Sequence, residues 1–291
     1  MIAPSERRVL VTGATGFVGS RLVERLKVRD WDVHTVDRFA VNLLVPGVAA
    51  SLIERVRPSH LVHLAWNAEH GRFWTAADNL DWVAASLALH RAFAAHGGER
   101  AVYAGTCAEY DWAFDHLDEA VTPCRPHTLY GVAKDSLRRL LEACPEGVSI
   151  AWARLFFLYG PGEAPGRLVS SVTSALLNGR EALCGDGEAE RDFMHVSDVA
   201  NALVALLESP VTGPVNIASG VCRPIKDIIR SIAEHTGRPD LVRLGARPSP
   251  VSEPPRLAAS ASRLHHEVGV VPEFDLDDGI ADTIRWWREQ L

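Results

Sequence analysis

The sequence has no long uninterrupted hydrophobic run. A membrane-spanning helix needs about 20 consecutive, mostly apolar residues. Apolar residues make up 47% of the 291-residue chain, but polar and charged residues interrupt every stretch before that length. Residues 1–8 also lack the apolar core of a secretory signal peptide. The sequence therefore predicts a soluble, cytoplasmic protein with no membrane partner.

The sequence also lacks a net positive charge and closely spaced pairs of cysteines. The formal net charge is −7 and there is no extended basic run, whereas nucleic-acid-binding surfaces are strongly basic, so we expect no nucleic-acid partner. The cysteines are odd in number, scattered and never spaced as C-x-x-C, which indicates neither a disulfide framework nor a zinc site. We therefore predict reduced, buried thiols and no metal. The five thiols are those of Cys107, Cys124, Cys144, Cys184 and Cys222.

A glycine-spaced turn near the start of the chain is the most informative feature that is present. The apolar stretch 9–12 is followed by Gly13, Gly16 and Gly19, and then by an amphipathic helical pattern. In such a strand–turn–helix unit the first glycine permits the turn and the second lets backbone amides approach a pyrophosphate. The third allows the helix to pack closely on the strand. This order predicts a dinucleotide-binding site.

The end of the second predicted strand bears on which dinucleotide is bound. Asp37 stands there, and its carboxylate can accept hydrogen bonds from both ribose hydroxyls of NAD while repelling the 2′-phosphate of NADP. The neighbouring Arg38 could bind that phosphate if Asp37 turned away. We expect NAD(H), with NADP(H) as the alternative.

Short apolar strands alternate with helical patterns through the first half of the chain. We expect strands at 8–12, 33–37, 60–65, 100–105 and 149–155, with helices near 17–28, 47–56, 79–96 and 130–143. A strand-turn near 181–187 and helices near 167–178, 197–208, 224–236 and 276–290 follow. This alternation predicts an α/β fold, a Rossmann-type doubly wound parallel sheet with a smaller mixed α/β substrate domain. The nucleotide domain would cover 1–155, rejoined by parts of 190–215 and 255–265, and 156–291 would mainly form the substrate domain.

Tyr130 and Lys134 open a predicted helix four residues apart, so their side chains share one face. The pairing is informative because the chain contains only three lysines. Ionising a phenol of pKa about 10 costs about 4 kcal/mol at pH 7, and an ammonium about 4 Å away returns a similar amount only where the effective dielectric is near 20. We therefore expect Tyr130 to act as a general acid/base in a partly closed cleft, with Lys134 and the positive nicotinamide of the cofactor supplying the field. Lys134 would also hold the ribose hydroxyls. Thr106, at the end of the strand before this helix, would hydrogen-bond the substrate oxygen that Tyr130 protonates.

These motifs resemble the extended short-chain dehydrogenase/reductase family, the nucleotide-sugar epimerases, dehydratases and reductases. The resemblance covers nearly the whole chain and includes Arg154-Leu155-Phe156, Tyr159-Gly160-Pro161 and the later run from Arg191 to Ala200. It implies a nucleotide-sugar substrate and a homodimer formed by the helices near 79–96 and 130–143. It also implies that His195 and Asp198 anchor a loop. Further cofactor contacts would come from Thr15, Phe17, Val18, Asn42, Leu43, Leu64, Ala65, Trp66 and Leu155. Substrate contacts would come from Thr106, Cys107, Phe157, Arg191 and Arg256, with Trp66, Trp112 and Phe157 as walls of the sugar site.

Departures from subfamily patterns narrow the expected reaction. Cys107 and Ala108 stand where sugar 4,6-dehydratases carry acids, and Phe157 stands where epimerases of the UDP-galactose type carry an asparagine that touches the substrate. Cys107 is also one position too early to match the thiol of the epimerase-reductases that make fucose. The segment between Asp37 and the strand at 60–65 is compact, which is similar to the spacing in dTDP-4-dehydrorhamnose reductases. We expect reduction of a 4-keto-6-deoxyhexose, with a 4-epimerase as the alternative; a cofactor-binding scaffold without chemistry is disfavoured by the intact Tyr/Lys pair.

Overall fold

The computed structural model describes residues 7–36, 41–144, 146–248 and 254–290. The first part of the chain alternates strands and helices: β1 Arg8–Thr12, α1 Phe17–Val28, β2 Asp32–Thr35, α2 Val48–Val56, β3 His60–His63, α3 Asn79–Ala95, β4 Arg100–Thr106, β5 His116–Leu117, α4 Leu129–Glu142 and β6 Ser149–Leu155. The remainder is mixed: β7 Phe157–Tyr159, α5 Leu168–Leu177, β8 Ala182–Leu183, β9 Glu190–His195, α6 Val196–Glu208, β10 Gly213–Ile217, β11 Cys222–Pro224, α7 Ile225–Thr236, β12 Val242–Arg243, β13 Arg256–Ala259 and α8 Leu276–Gln290.

Six parallel strands form the main sheet in the spatial order β2-β1-β3-β4-β6-β10. The chain runs outward from β1 to β2 and then returns to the other side of β1 with β3. The strand order therefore reverses between β1 and β3. In open α/β sheets this reversal leaves a crevice beyond the carboxyl ends of the strands, and ligands bind there.

Side chains alternate along each strand and build one core on each face of the sheet. Val9 and Val11 of β1 face α1 and α6, whereas Leu10 faces the layer of α2, α3 and α4. Burial on both faces explains why the strands are continuous apolar runs. The helices cover the faces and leave the carboxyl edge of the sheet for the site.

A second, mixed region lies beyond that edge. There β9 is paired with β7, β11 and β13, and β13 in turn pairs with β5. Helices α5, α7 and α8 pack together in a separate apolar cluster that includes Val172, Ile229 and Ile280. The chain returns to the main sheet through α6 and β10, which lies beside β6.

The expected α/β class and parallel Rossmann-type sheet are confirmed, and the helices and strands of the first half lie within a few residues of their expected bounds. The short strands β5, β7, β9 and β11 to β13 were not expected individually. The division into domains at residue 155 stays a prediction. Among the described residues, no helix is both long enough and apolar enough to cross a membrane.

Arg100 joins the start of β4 to the end of α6. It is buried, and its guanidinium donates to the carbonyl oxygens of Leu206, Leu207 and Val211 at 2.6–2.8 Å and to the hydroxyl of Ser149 at 2.8 Å. Carbonyls at a helix C-terminus have no partner within the helix, so the arginine satisfies groups that burial would otherwise leave unpaired.

Replacing Arg100 with methionine should lower the free energy of unfolding by about 3 kcal/mol, because several buried carbonyls lose their donors. Urea denaturation followed by circular dichroism measures the change. Arg29→Met is the matched control: Arg29 bonds Glu208 at the surface and is 48% exposed, so its loss should cost less than about 1 kcal/mol. Equal losses in the two variants would contradict the assigned role of Arg100.

Candidate active site

The glycine turn lies at the point where the strand order reverses. Gly13 has φ of +71°, and a Cβ built on it would lie 2.8 Å from the backbone nitrogen of Ala65. A Cβ on Gly19 would lie 2.1 Å from the carbonyl oxygen of Gly13. Only glycine fits these two places, because the turn after β1 lies against both the end of β3 and the first turn of α1.

The first turn of α1 is open to an anion. Gly16 is its N-cap residue, and this helix has neither a side-chain cap nor an acidic residue in its first turn. The unpaired amides and the positive end of the helix dipole favour a negatively charged group at this position. Thr15 and Gly16 are exposed, and Phe17 and Val18 are partly buried. The residues present therefore fit the pyrophosphate of a dinucleotide.

Other expected cofactor residues surround the same crevice. Leu64, Ala65 and Trp66 follow β3 directly, and Leu155 ends β6. Asn42 lines an open cleft of about 460 Å³ beside α2, but the side chain of Leu43 is buried in the core, which leaves its backbone as the part available to a ligand. Asp37 and Arg38 lie outside the described residues.

The structure brings together Thr106 and Tyr130. Thr106 ends β4, and its hydroxyl oxygen accepts a hydrogen bond from the backbone N–H of Ala108 at 3.2 Å. Tyr130 lies in the first turn of α4, whose N-cap Thr128 accepts from the N–H of Gly131 at 3.1 Å. The Thr106 hydroxyl lies near the Tyr130 phenol, close enough to lower its pKa. Because the Thr106 oxygen already accepts from Ala108, its own proton is available to Tyr130.

Lys134 lies one helical turn further on and is almost fully buried. Its Nζ donates to the carbonyl oxygen of Ala104 at 2.8 Å and lies 3.7 Å from the centre of the Trp66 ring. The distance from Nζ to the centre of the Tyr130 ring is 6.0 Å. Burial lowers the pKa of Lys134 to about 7, so a large fraction of this side chain is uncharged at neutral pH.

The expectation that Lys134 and the nicotinamide together acidify Tyr130 stays a prediction, and burial works against it. Burial raises the pKa of Tyr130 above its usual range. The neighbouring Thr106 hydroxyl and the positive charge of Arg167 oppose this rise, whereas Glu109 adds to it. Desolvation disfavours the ammonium of Lys134 as well as the phenolate of Tyr130. Tyr130 is therefore a protonated phenol at neutral pH, suited to donate a proton.

An aromatic wall surrounds the Tyr130 ring. Phe73, Trp74 and Trp66 each contact it edge to face, with ring centres 4.9, 5.9 and 6.5 Å away. Trp112 extends the wall through Trp74, with ring centres 6.1 Å apart. Phe73 and Trp74 were missed by sequence analysis. The only signal for them was the unusual density of aromatic residues shortly after β3.

Arg167 is a second group that sequence analysis missed. It precedes α5, and its guanidinium carbon lies 5.7 Å from the Phe73 ring centre. It approaches the site from the Pro/Gly-rich loop after β7, so nothing in its local sequence distinguishes it from 26 other arginines. Its charge reaches Tyr130, which makes this corner of the site electropositive.

The expected substrate residues divide into two groups. Cys107 and Arg191 are buried, and Cys107 directly follows Thr106. The guanidinium carbon of Arg191 lies 5.5 Å from the Phe157 ring centre. The positive charge of Arg191 lowers the pKa of Cys107. Burial has the larger effect and raises that pKa to about 12. Arg256 is different: it is exposed at the start of β13 and pairs with Glu190 at 3.2 Å.

His195 and Asp198 occupy the loop-anchoring positions that the resemblance implied. The His195 Nδ1 accepts from the N–H of Ser197 at 3.4 Å at the start of α6. The Asp198 carboxylate accepts from the N–H groups of Glu273 and Phe274 at 3.1 and 3.0 Å. Both side chains are buried, so they hold the segment before α8 against α6.

A parallel sheet with a glycine turn at its reversal point, and a threonine, tyrosine and lysine gathered beside that turn, characterise an enzyme that works through a dinucleotide. The chain belongs to the NAD dependent epimerase/dehydratase family, whose model matches residues 9–218. This confirms the expected family. Curated relatives include nucleotide-sugar epimerases, dehydratases and reductases, so the family is one of enzymes.

Individual relatives cover nearly the whole chain. It is 28% identical to dTDP-4-dehydro-6-deoxy-D-allose reductase of Streptomyces bikiniensis over 97% of this chain and 96% of that protein. It is 27% identical to UDP-glucose 4-epimerase of Azospirillum brasilense over 98% of this chain and 92% of that protein. The structure of UDP-glucose 4-epimerase from Thermotoga maritima with UDP-glucose matches with a TM-score of 0.85 and 23% identity, covering 97% and 99% of the two chains. That likeness shows a shared fold.

The Cys107 thiol should resist alkylation. With a pKa of about 12 and little exposure it is protonated near neutral pH, and the thiolate is the reactive form. Brief treatment of the folded protein with iodoacetamide at pH 8, followed by peptide mass spectrometry, should leave Cys107 unmodified. The partly exposed Cys144 is the internal control and should be labelled. Labelling of Cys107 as fast as Cys144 would show an activated thiol and reopen the possibility of thiol chemistry.

Proposed function

We propose that this enzyme reduces the 4-keto group of a nucleotide-linked 6-deoxyhexose, using NAD(P)H. The observation that carries the proposal is the placement of Thr106 at the end of β4 beside Tyr130, one helical turn before the buried Lys134, at the crevice that the glycine turn opens. A protonated phenol next to a hydroxyl donor is the arrangement that a carbonyl oxygen needs when it becomes an alcohol.

The chain's residues would act on the carbonyl oxygen and on the cofactor ribose. Thr106 orients the carbonyl oxygen, and Tyr130 gives it a proton as the carbon gains a hydride; NAD(P)H supplies that hydride when bound and leaves oxidised. Lys134 would hold the ribose hydroxyls. The aromatic wall of Trp66, Phe73 and Trp74 excludes water from the phenol, which strengthens these polar interactions.

Several departures from the related enzymes favour reduction. Phe157 offers no amide to a sugar nucleotide, and Cys107 and Ala108 offer no carboxylate for eliminating water. The raised pKa of Cys107 argues against a thiol base that would epimerise the sugar. The similarity to a reductase over nearly the full length of both chains agrees with this choice.

A 4-epimerase is the second candidate. It is favoured by the equally extensive similarity to UDP-glucose 4-epimerases, in sequence and in fold. The same three residues would then first remove and later return the proton of the 4-hydroxyl. An epimerase retains its cofactor and shows no net consumption, whereas a reductase consumes one cofactor per product.

The remaining proposals concern partners. Arg191 and Arg167 would face the charged part of the nucleotide sugar, and NAD(H) is preferred if Asp37 accepts the ribose hydroxyls.

A homodimer through α3 and α4 is supported by the exposed apolar side chains Leu80, Val132 and Leu140 on these helices. We place the enzyme in the cytoplasm, where nucleotide sugars and reduced cofactors are available.

The test is a panel of dTDP- and UDP-linked 4-keto-6-deoxysugars with NADH and NADPH. We expect one equivalent of cofactor oxidised per sugar reduced, and Tyr130→Phe should lower kcat by about 10²- to 10⁴-fold because the proton donor is lost. Tyr103→Phe is the matched control, since its hydroxyl bonds the buried His90 away from the site and its loss should leave kcat within about twofold.

Turnover without net cofactor consumption, by protein that purifies with bound NAD, would favour the epimerase instead. Undiminished reduction by Tyr130→Phe would overturn the assignment of this site.

A further inference from the structure

We propose that Glu109 is a positioning residue of this active site: its buried carboxylate holds the backbone of Thr106 and provides the counter-charge for the ammonium of Lys134. The inference rests on the proposed use of Thr106 and Lys134 in catalysis. Glu109 stands three residues after Thr106 in a turn of 3₁₀ helix, Cys107–Glu109, and has no solvent exposure.

Every contact of the Glu109 carboxylate is internal. One oxygen accepts from the backbone N–H of Thr106 at 2.8 Å, and both oxygens lie within hydrogen-bond distance of the Trp152 indole N–H, at 2.9 and 3.0 Å. The second oxygen accepts from Nε of Arg154 at 2.8 Å. A buried carboxylate is costly unless it is paired and hydrogen-bonded, and here both conditions are met.

The bond to Thr106 completes a capping box. The Thr106 hydroxyl accepts from the N–H of Ala108, while the Glu109 carboxylate accepts from the N–H of Thr106. These reciprocal bonds fix both the backbone and the hydroxyl of Thr106. The hydroxyl keeps its own proton, which it can donate to a substrate oxygen.

Arg154 forms a buried ion pair with the carboxylate, 2.8 Å from Nε to Oε2. It lies on β6 beside β4, is almost fully buried, and has its guanidinium carbon 4.4 Å from the centre of the Tyr110 ring. The charge of Glu109 in turn raises the pKa of Arg154. The pair is therefore a fixed charge distribution beneath the site rather than a surface ion pair, and solvent cannot screen it.

Glu109 and Lys134 bind the same end of β4: the Glu109 carboxylate accepts from the N–H of Thr106, and Lys134 Nζ donates to the carbonyl oxygen of Ala104, two residues earlier. Among the described residues packed around Lys134, β3 contributes His63, which is neutral because burial lowers its pKa to about 3. Helix α4 contributes Tyr130, which is a protonated phenol, and the segment after β3 contributes the uncharged Trp66. Burial lowers the pKa of Lys134 to about 7, and the negative charge of Glu109 opposes this fall. Without Glu109 the ammonium would be lost at a still lower pH.

The experiment is an NMR titration of the lysine side chains. The chain has only Lys27, Lys134 and Lys226, so protein labelled with ¹³C- and ¹⁵N-lysine should give three assignable side-chain signals, each assigned by a Lys→Arg variant. In Glu109→Gln the midpoint for Lys134 should fall by about one pH unit, as expected for the loss of a nearby opposite charge. Lys27 and Lys226 should keep their midpoints, which makes them internal controls.

Two further variants keep the test decisive. Asp198→Asn removes another buried carboxylate that accepts two backbone hydrogen bonds, and it should leave Lys134 unchanged. If Glu109→Gln does not fold, Glu109→Gln with Arg154→Met removes both charges, a change that buried pairs tolerate better than loss of one partner, and Lys134 should still titrate lower.

An unchanged Lys134 midpoint in a folded Glu109 variant would overturn the proposal, as would an equal shift at all three lysines. Neither substrate nor turnover is needed, so this result is independent of whether the enzyme proves to be a sugar reductase.

Discussion

The reversal of strand order between β1 and β3 is the constraint on which the rest of the molecule depends. Because all six strands of the main sheet are parallel, their carboxyl ends meet at one edge, and the reversal opens a crevice there. The glycine turn after β1, the aromatic segment after β3 and Thr106 at the end of β4 reach that crevice from consecutive strands. Helix α4 then places Tyr130 and Lys134 across from them.

Burial decides what these groups can do. It raises the pKa of Tyr130 and lowers that of Lys134, so a hydrophobic cleft by itself would favour two neutral side chains. The polar groups around the pair adjust this outcome: Thr106 and Arg167 lower the pKa of the phenol, whereas Glu109 raises the pKa of both the phenol and the ammonium. A site that combines a proton donor with a cation therefore needs a buried carboxylate as well as a tyrosine and a lysine.

Local patterns were sufficient for the helices and strands of the first half and for the glycine turn, because each depends on neighbours within a few residues. The short strands around β9 were not predicted individually, because pairing between segments far apart in sequence defines them rather than a local apolar pattern. Phe73, Trp74 and Arg167 were missed because Tyr130, around which they lie, is far away in sequence. Glu109 was missed although its partner Thr106 is only three residues away, in the spacing of a capping box. The lowered pKa of Lys134 was not expected, because burial, which sets it, cannot be read from residue spacing.

The sequence by itself determined the fold class, the family and the gathering of glycine turn, threonine, tyrosine and lysine, because periodicity and short spacings report the backbone directly. Only the tertiary structure decided which charges are buried, which are paired and how each pKa moves. Those properties depend on contacts such as Glu109 with Arg154, 45 residues apart, and on the exclusion of water that close packing brings about.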